Sequence, residues 1–321
     1  MIARAAVATL GLAAALAAAS PAAAPTTEAV AVLRDGTFHQ ALFGVAFDGD
    51  QGIAVGAQGA ILESADRGAH WTPLGKPLTP LALLAVDVNG ARRLAVGQNG
   101  VMLAGDATGA WRLLPAVTDN RLLAVGLNRQ GLAAAVGGFG TVLVAAAGAD
   151  FRAVPVEWGA FAEAGVEPHL YAVDVDGQGV ITVAGEFGLI LRSADQGAHW
   201  QLLHKGDASL FALELRADGS GYAVGQNGTV LKTADHGRTW SALEAAGVKA
   251  NLLGVRSLAD GRVYASAMRD MLVSDDNGAT WRHVAGGDFG LAWYAGLAAP
   301  AGADGGVIAV GHSGRVLRIG R

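Results

Sequence analysis

The sequence predicts an all-β protein, a seven-bladed β-propeller whose blades are four-stranded antiparallel sheets. Two observations favour this fold class. A glycine-turn motif recurs seven times at intervals of about 40 residues, the period of a propeller blade, and a strand-like hexamer with a small third residue precedes every copy. Because one such repeat cannot bury its apolar surface alone, neighbouring copies must pack together.

The composition agrees with a fold rich in short strands. Apolar residues make up 52% of the chain, charged residues only 16%, and there are 47 glycines, which indicates many buried strands joined by tight turns. The formal net charge of −5 provides no basic field for a phosphate backbone. Nucleic acid is therefore not an expected partner.

The first residues have the pattern of a secretory signal. Arg4 precedes an apolar stretch over residues 5–19, and small residues follow up to residue 24. The stretch is shorter than the roughly 20 residues that span a bilayer. With no cysteine, neither a disulfide nor a lipid-bearing N-terminal cysteine is available. We expect a signal peptide over residues 1–24, one propeller domain over residues 25–321, and a monomer in the periplasm or the medium with no membrane span after cleavage.

The glycine turn joins the second and third strands of each predicted blade. Its seven copies occupy residues 54–59, 95–100, 135–140, 183–188, 223–228, 264–269 and 309–314. The sixth copy is degenerate, with Ser266 and Arg269 at the glycine positions. Glycine at both ends of the turn suggests a backbone with positive φ, which glycine adopts at little cost.

The hexamers are predicted to be the innermost strands, and they occupy residues 42–47, 83–88, 122–127, 170–175, 210–215, 252–257 and 293–298. Small residues fill the third position: Gly44, Ala85, Ala124, Ala172, Ala212, Gly254 and Ala295. Larger side chains would collide where seven strands converge on a narrow channel. This pattern favours a closed ring. Each repeat then supplies strands A, B, C and D, counted outward from the channel.

Closure of the ring needs one strand from the other end of the chain. After Gly314 only residues 315–321 remain, enough for strand C of the seventh blade but not for strand D. We predict that Ala29–Arg34, which precedes the first blade, pairs there and covers the open edge.

Four repeats carry the pattern S/T-x-D-x-G-x-x-W between strands C and D, over residues 64–71, 193–200, 233–240 and 274–281. These segments resemble the Asp boxes of BNR-type repeats. The aspartate can accept bonds from the turn's amides, and the tryptophan can wedge between blades. We assign structural roles to Asp66, Trp71, Asp195, Trp200, Asp235, Trp240, Asp276 and Trp281. The second and third repeats keep only the closing aromatic, Trp111 and Phe151.

With these turns and seven repeats, residues 29–321 resemble the photosystem II stability/assembly factor family, seven-bladed propellers whose relatives also occur in non-photosynthetic bacteria. The resemblance implies an exported or lumenal assembly factor that docks on a membrane-protein client and has no catalytic centre. Photosynthetic members carry clustered arginines, whereas here only Arg92 and Arg93 are adjacent. This departure favours the non-photosynthetic branch, with a membrane transporter of the resistance-nodulation-division type as the client.

An enzyme is the alternative, because Asp boxes also occur in sialidases and other glycoside hydrolases. The Arg-Ile-Pro start of a sialidase is absent. Tyr171, Tyr222, Tyr264 and Tyr294 all lie in repeat strands, where packing explains them. Hydrolysis by two central carboxylates stays open, since the chain has 28 Asp and Glu residues. No catalytic residue, metal ligand or cofactor is predicted; His70 and His199 are interpreted as solvated turn residues.

A protein partner is expected on the face that carries the glycine turns. The two residues inside these turns vary between blades, and variation on a repeated frame suggests function. The longest interval adds an insertion, residues 155–168, to the same face; its aromatics are either exposed anchors among carboxylates or packed on their own blades. The candidate partner-binding residues are Phe139, Trp158, Phe161, Glu186, Phe187, Met268, Arg269 and His312.

Overall fold

The computed structural model describes residues 27–243, 248–302 and 306–321. They form seven four-stranded antiparallel sheets and a few single 3₁₀-like turns. No helix within the described residues is long and apolar enough to cross a membrane. The predicted signal peptide, residues 1–24, lies outside the described residues.

Blades one to four follow one another along the chain, each ordered A to D from the channel outward. Blade one comprises β2 (Leu42–Asp48), β3 (Gln51–Gly56), β4 (Ile61–Ser64) and β5 (Thr72–Pro73). Blade two comprises β6 (Leu83–Asn89), β7 (Arg92–Gly97), β8 (Met102–Gly105) and β9 (Trp111–Leu113). Blade three comprises β10 (Leu122–Leu127), β11 (Ala133–Gly137), β12 (Val142–Ala145) and β13 (Arg152–Ala153). Blade four comprises β14 (Leu170–Val175), β15 (Ile181–Gly185), β16 (Ile190–Ser193) and β17 (Gln201–His204).

The remaining blades follow the same order. Blade five comprises β18 (Leu210–Leu215), β19 (Gly221–Gly225), β20 (Val230–Thr233) and β21 (Ser241–Leu243). Blade six comprises β22 (Leu252–Ser257), β23 (Val263–Ala267), β24 (Asp270–Ser274) and β25 (Arg282–His283). Blade seven comprises β26 (Tyr294–Ala298), β27 (Gly306–Gly311), β28 (Val316–Gly320) and β1 (Ala29–Arg34). The 3₁₀-like turns are Ala57–Gly59, Gln98–Gly100, Trp158–Ala160, Glu186–Gly188, Gln226–Gly228 and His312–Gly314.

The N-terminal strand closes the ring, as predicted. β1 pairs antiparallel with β28, with Ala29 opposite Gly320 and Val32 opposite Leu317. Each innermost strand packs against that of the next blade, and β26 packs against β2. The seven-bladed architecture predicted from the repeats is therefore confirmed.

The core is divided among the interfaces between blades. Clusters of buried side chains join neighbouring blades; Tyr264 of blade six and Tyr294 of blade seven, for example, lie in one cluster. The second strands are buried along most of their length because sheets cover both of their faces. This burial explains why the strand-B repeats read as nearly continuous apolar runs.

Two alignments made from the sequence are wrong by one residue. In blade seven, Tyr294 pairs with the end of strand B, so the small third residue is Gly296 and not Ala295. In blade six, Leu252 pairs with Ala267. Ala267, and not Ser266, therefore occupies the position of the first glycine. The turn of blade six is one residue shorter than the others, and this deletion displaced the alignment.

The two glycines of the turn are required for different reasons. Only the second has positive φ, which corrects the expectation of positive φ at both. The first is extended: Gly225 has a φ of −168°, and a Cβ there would lie 1.9 Å from the carbonyl oxygen of Ser209. Close approach of strand A therefore requires glycine. The second glycine is left-handed, with a φ of 72° at Gly228, and so is the residue before it, Asn227, at 55°.

Candidate functional site

The glycine turns and the connections from strand D to the next strand A form one face of the ring, here called the glycine-turn face. In six of the turns the residue before the second glycine is left-handed, and in blade six the left-handed residue is Arg269. Asparagine tolerates this conformation, but a bulky side chain does so at a cost. Phe139 and Phe187 nevertheless adopt it, with φ of 53° and 57°. Strain of this kind is concentrated at functional sites.

Both phenylalanines project into solvent. Phe139 is 62% exposed and Phe187 is 41% exposed. Met268 and Arg269, in the shorter turn of blade six, are also exposed. These four candidates therefore have accessible side chains on one face.

The insertion of residues 155–168 packs its tryptophan inward. Trp158 is 9% exposed, and a Cβ on Gly140 would lie 2.2 Å from its indole nitrogen, so the indole covers the turn of blade three. Phe161 is half-buried against the same core cluster. The structure thus matches the alternative in which the loop packs its aromatics onto its own blades, and Trp158 leaves the set of accessible candidates.

Glu186 has a bonding role within its turn. Its carboxylate accepts a 2.8 Å bond from the backbone amide of His169, as the side chains of Gln98 and Gln226 do for Ala82 and Ser209 in other blades. The carboxylate therefore fixes the start of strand A. In the sequence, Glu186 follows the first glycine of its turn, as Gln98 and Gln226 do, and this equivalence could have indicated the role.

Aromatic rings form two arcs at the channel mouth. In one arc His312 contacts Phe38 and Trp293, and Trp293 stacks on Phe43 with ring centroids 5.7 Å apart. The other arc runs through blades three to five as Phe139, His169, Tyr171 and Phe211. The candidates His312 and Phe139 therefore belong to aromatic groups that reach the channel wall at Phe43, Tyr171 and Phe211.

Sequence reasoning missed two exposed residues of this face. Phe38, between β1 and β2, is 82% exposed, and Leu291, before β26, is 88% exposed. The only signal was an apolar residue inside a Gly- and Asp-containing connection, in Asp-Gly-Thr-Phe and Asp-Phe-Gly-Leu. Nine large apolar residues are exposed in the described part of the chain, and with Leu78, Phe139, Phe187 and Met268 these two place six of them on the glycine-turn face.

The S/T-x-D-x-G-x-x-W segments, here called aspartate turns, lie on the opposite face. Asp195 accepts bonds from the Ser193 hydroxyl at 2.8 Å and the His199 amide at 2.9 Å. Bonds from the amide and then the ring of His199 lower the pKa of Asp195 to about 2. The indoles of Trp71, Trp240 and Trp281 donate to the carbonyl of the turn's own glycine. The aspartates are thus occupied within their own turns.

The central channel, of about 480 Å³, is lined by Glu214 and Arg256, and Asp87 and Asp174 lie at the same strand position; the sequence analysis assigned none of the four. Asp87, Asp174, Glu214 and Arg256 all occupy the fifth position of strand A, so an alignment of the hexamers was the signal that could have found them. Arg256 binds Glu214 at 3.1 Å. Burial in the channel wall, with repulsion from Asp87, raises the pKa of Asp174 to about 7.

Burial likewise raises the pKa of Asp87 to about 6, although its carboxylate accepts bonds from two backbone amides. Among the residues that the structure describes, no three His, Asp or Glu side chains are grouped as a metal ion would require. The channel therefore combines an aromatic mouth with carboxyl groups whose pKa values burial raises.

Solved structures of similar fold were compared with the chain. A YCF48 bound to a D1 peptide has a TM-score of 0.70 at 15% identity, over 94% of this chain and 97% of its own. YCF48 from Cyanidioschyzon merolae has a TM-score of 0.69 at 19% identity, over 91% and 99%. A streptogramin B lyase has a TM-score of 0.76 at 10% identity, over 91% and 97%. At these identities the likeness is one of fold.

No family model matches the sequence. No curated protein matches it either.

Proposed function

We propose that this chain is an exported, non-catalytic protein-binding scaffold that uses its glycine-turn face to help assemble a membrane-protein complex. The observation that carries the proposal is the exposure of Phe139 and Phe187 in a conformation that is costly for phenylalanine. A turn that needs only to reverse the chain is better served by asparagine, as at Asn99 and Asn227.

The distribution of apolar surface supports the same face. Its exposed residues lie around a channel mouth lined by aromatic rings, whereas the other exposed large apolar residues, Val32, Leu113 and Leu202, are dispersed on outer strands. Exposed aromatic and methionine side chains are typical anchors of protein interfaces. A YCF48 with the same fold is bound to a D1 peptide, so the architecture is compatible with a protein ligand.

The resemblance of the repeats to the photosystem II assembly factor family supports an assembly role, and the signal pattern of residues 1–24 supports export. The proposed client is a membrane protein, with a transporter as the specific candidate.

Affinity capture from detergent-solubilised envelope of the source organism tests the proposal. The wild type is compared with the triple variant Phe139→Ser, Phe187→Ser, Met268→Ser and with a rim control, Leu113→Ser with Leu202→Ser. The control removes exposed apolar side chains from outer strands. We expect a membrane protein that the wild type and the control retain and the triple variant loses. Equal recovery with the triple variant would refute this use of the face.

A second candidate, an enzyme acting in the channel, is favoured by one observation. Asp174 has its pKa raised to about 7 beside Asp87 and Glu214, which suits a general acid of a glycoside hydrolase. The test is turnover of aryl glycosides by the purified protein at pH 6. Activity that Asp174→Asn abolishes would support the enzyme and count against a purely binding role.

A further inference from the structure

A second opening lies on the aspartate-turn face, between the outer parts of blades two and three. It is a cleft of about 700 Å³, larger than the central channel and within the usual size range of small-molecule sites. Its position coincides with blades that lack an aspartate turn.

In four other blades an aspartate turn occupies the equivalent position. Gly197 in the turn of blade four packs on blade three, where a Cβ would lie 2.9 Å from Val154. Gly278 in the turn of blade six packs on Leu243 and Tyr222 of blade five in the same way. These turns contact the preceding blade, although an opening of about 540 Å³ still lies between blades three and four.

Blade three cannot close its gap in this manner. Its connection from strand C to strand D runs through small residues at 145–149, and Phe151 stands where the aspartate turns have tryptophan. At the preceding interface, Trp111 and Arg93 both bind Glu63 and occupy the gap, with bonds of 3.1 and 2.8 Å. Because this connection of blade three has only small side chains, the cleft remains open.

The cleft has an apolar floor and a rim of guanidinium groups. The floor includes Leu94, Met102, Leu114, Val117 and Phe151. Four arginines line the same cleft, namely Arg92, Arg93, Arg112 and Arg129.

Within the described residues, two of these arginines have no carboxylate partner. Arg93 pairs with Glu63 and Arg129 with Asp48, but Arg92 donates only to the carbonyl of Gly131. Arg112 is exposed and has no polar partner among the described residues. The cleft therefore offers two guanidinium groups that a ligand's anion can engage.

One of the two carboxylates of the lining is engaged within its own turn. Asp106 is engaged by its own turn, accepting bonds from the hydroxyl and amide of Thr108 at 2.6 and 2.8 Å, and these bonds lower its pKa. Asp150 is the other acidic residue of the lining. Arg93 is itself buried and bound to Glu63, so it belongs to the wall of the cleft.

We propose that this cleft binds a small amphipathic organic anion, with its apolar body on the floor and its carboxylate at Arg92 and Arg112. Arginine is suited to this task because its planar donors match a carboxylate. None of the exposed residues Phe139, Phe187 and Met268 lines the cleft, although its floor includes Leu114 and Val117 of the β9–β10 connection.

Calorimetric titration of the full mature chain with decanoate tests the proposal, with 1-decanol as the uncharged probe of equal chain length. We expect saturable binding of decanoate, and decanol about tenfold weaker. The double variant Arg92→Gln, Arg112→Ala is expected to weaken decanoate binding by about tenfold and to leave decanol unchanged. Equal affinity for both probes would refute the anion site.

Filling the cleft provides an independent check. Ala147 lines the cleft, so Ala147→Trp should abolish binding of both probes, whereas Ala198→Trp on the exposed turn of blade four should not. Circular dichroism verifies that both variants fold. Undiminished decanoate binding by Ala147→Trp, or loss of binding in a glycine-turn-face variant instead, would place the ligand elsewhere and overturn the inference.

Discussion

The hydroxyl of Tyr264 donates a 2.7 Å hydrogen bond to Oε2 of Glu28, a residue 236 positions away in the chain. Tyr222, at the equivalent place in blade five, donates instead to the carbonyl of Asn277 in the aspartate turn of blade six. Blade seven has no aspartate turn, so Glu28 takes over this contact. Glu28, the residue before β1, therefore holds the closing strand in place in addition to the edge pairing of β1 with β28.

Glu28 is expected to be among the residues most sensitive to substitution. Its carboxylate is fully buried and binds Arg282 at 2.8 Å in addition to Tyr264. Removing one member of a buried ion pair leaves an uncompensated charge, so Glu28→Ala should lower the free energy of unfolding by about 3–5 kcal/mol. Urea denaturation measures this change, with Glu167→Ala on the exposed insertion as control. A loss below that of the control would show that β1 alone closes the ring.

The first glycine of each turn should resist even the smallest side chain. A Cβ at Gly225 would lie 1.9 Å from the Ser209 oxygen, so Gly225→Ala must displace strand A and should cost about 1–3 kcal/mol. Ala267 shows that blade six, with its shorter turn, accepts a methyl group. Ala267→Gly should therefore cost less than about 1 kcal/mol. Thermal unfolding of both variants gives the comparison, and similar losses would contradict the close-approach explanation.

The repeat could be read from the sequence because each blade solves the same packing problem with similar residues. Position three of strand A illustrates this: a Cβ on Gly44 would lie 3.1 Å from the Cα of Ala85 in the next blade. The alignment failed at Ala267 and Gly296, where one blade lacks a turn residue and another shifts its strand by one. Periodicity gives the architecture but not single-residue register in irregular copies.

Much of the candidate site could not be predicted from the sequence, for a different reason. Asp87 acts electrostatically on Asp174 only because the ring brings blades two and four together, and Glu28 reaches Tyr264 only because the first strand joins the last blade. Trp158 has an insertion-specific contact with Gly140 that no repeat pattern encodes. Contacts between non-equivalent positions need the three-dimensional structure.

Stability should decrease as the channel aspartates ionise. Asp174 has a pKa near 3.8 when unfolded and about 7 when folded. Below pH 4 both states are protonated; between pH 4 and 7 only the unfolded state loses its proton, so the free energy of unfolding falls as pH rises. Asp174→Asn should reduce this fall, leaving the part that comes from Asp87, and stabilise the protein at pH 8 by on the order of 2 kcal/mol.

Urea denaturation at pH 5 and pH 8 measures the effect, and Asp119→Asn, an exposed carboxylate, is the control for loss of one negative charge. The wild type and the control should be less stable at pH 8 than Asp174→Asn. An unchanged pH dependence in Asp174→Asn would show that its carboxylate is solvated in the channel.

Trp158 and Phe139 should separate stability from binding, although both are aromatic residues of the same face. Trp158→Ala removes a buried indole that covers the turn at Gly140 and should cost about 3–5 kcal/mol. Phe139→Ala removes an exposed ring that makes few packing contacts, so it should change the free energy of unfolding by less than about 0.5 kcal/mol. Denaturant titrations of the two variants give these values.

The same two variants in the capture experiment complete the argument. Phe139→Ala should reduce recovery of the partner while the protein remains fully folded, and Trp158→Ala should retain the partner at temperatures where it is still folded. If Trp158→Ala lost the partner without losing stability, the indole would have to move outward on binding, and the insertion would then be part of the interface. If neither variant affected recovery, contacts elsewhere on the face, such as those of Phe38 and Leu291, would have to supply the binding energy.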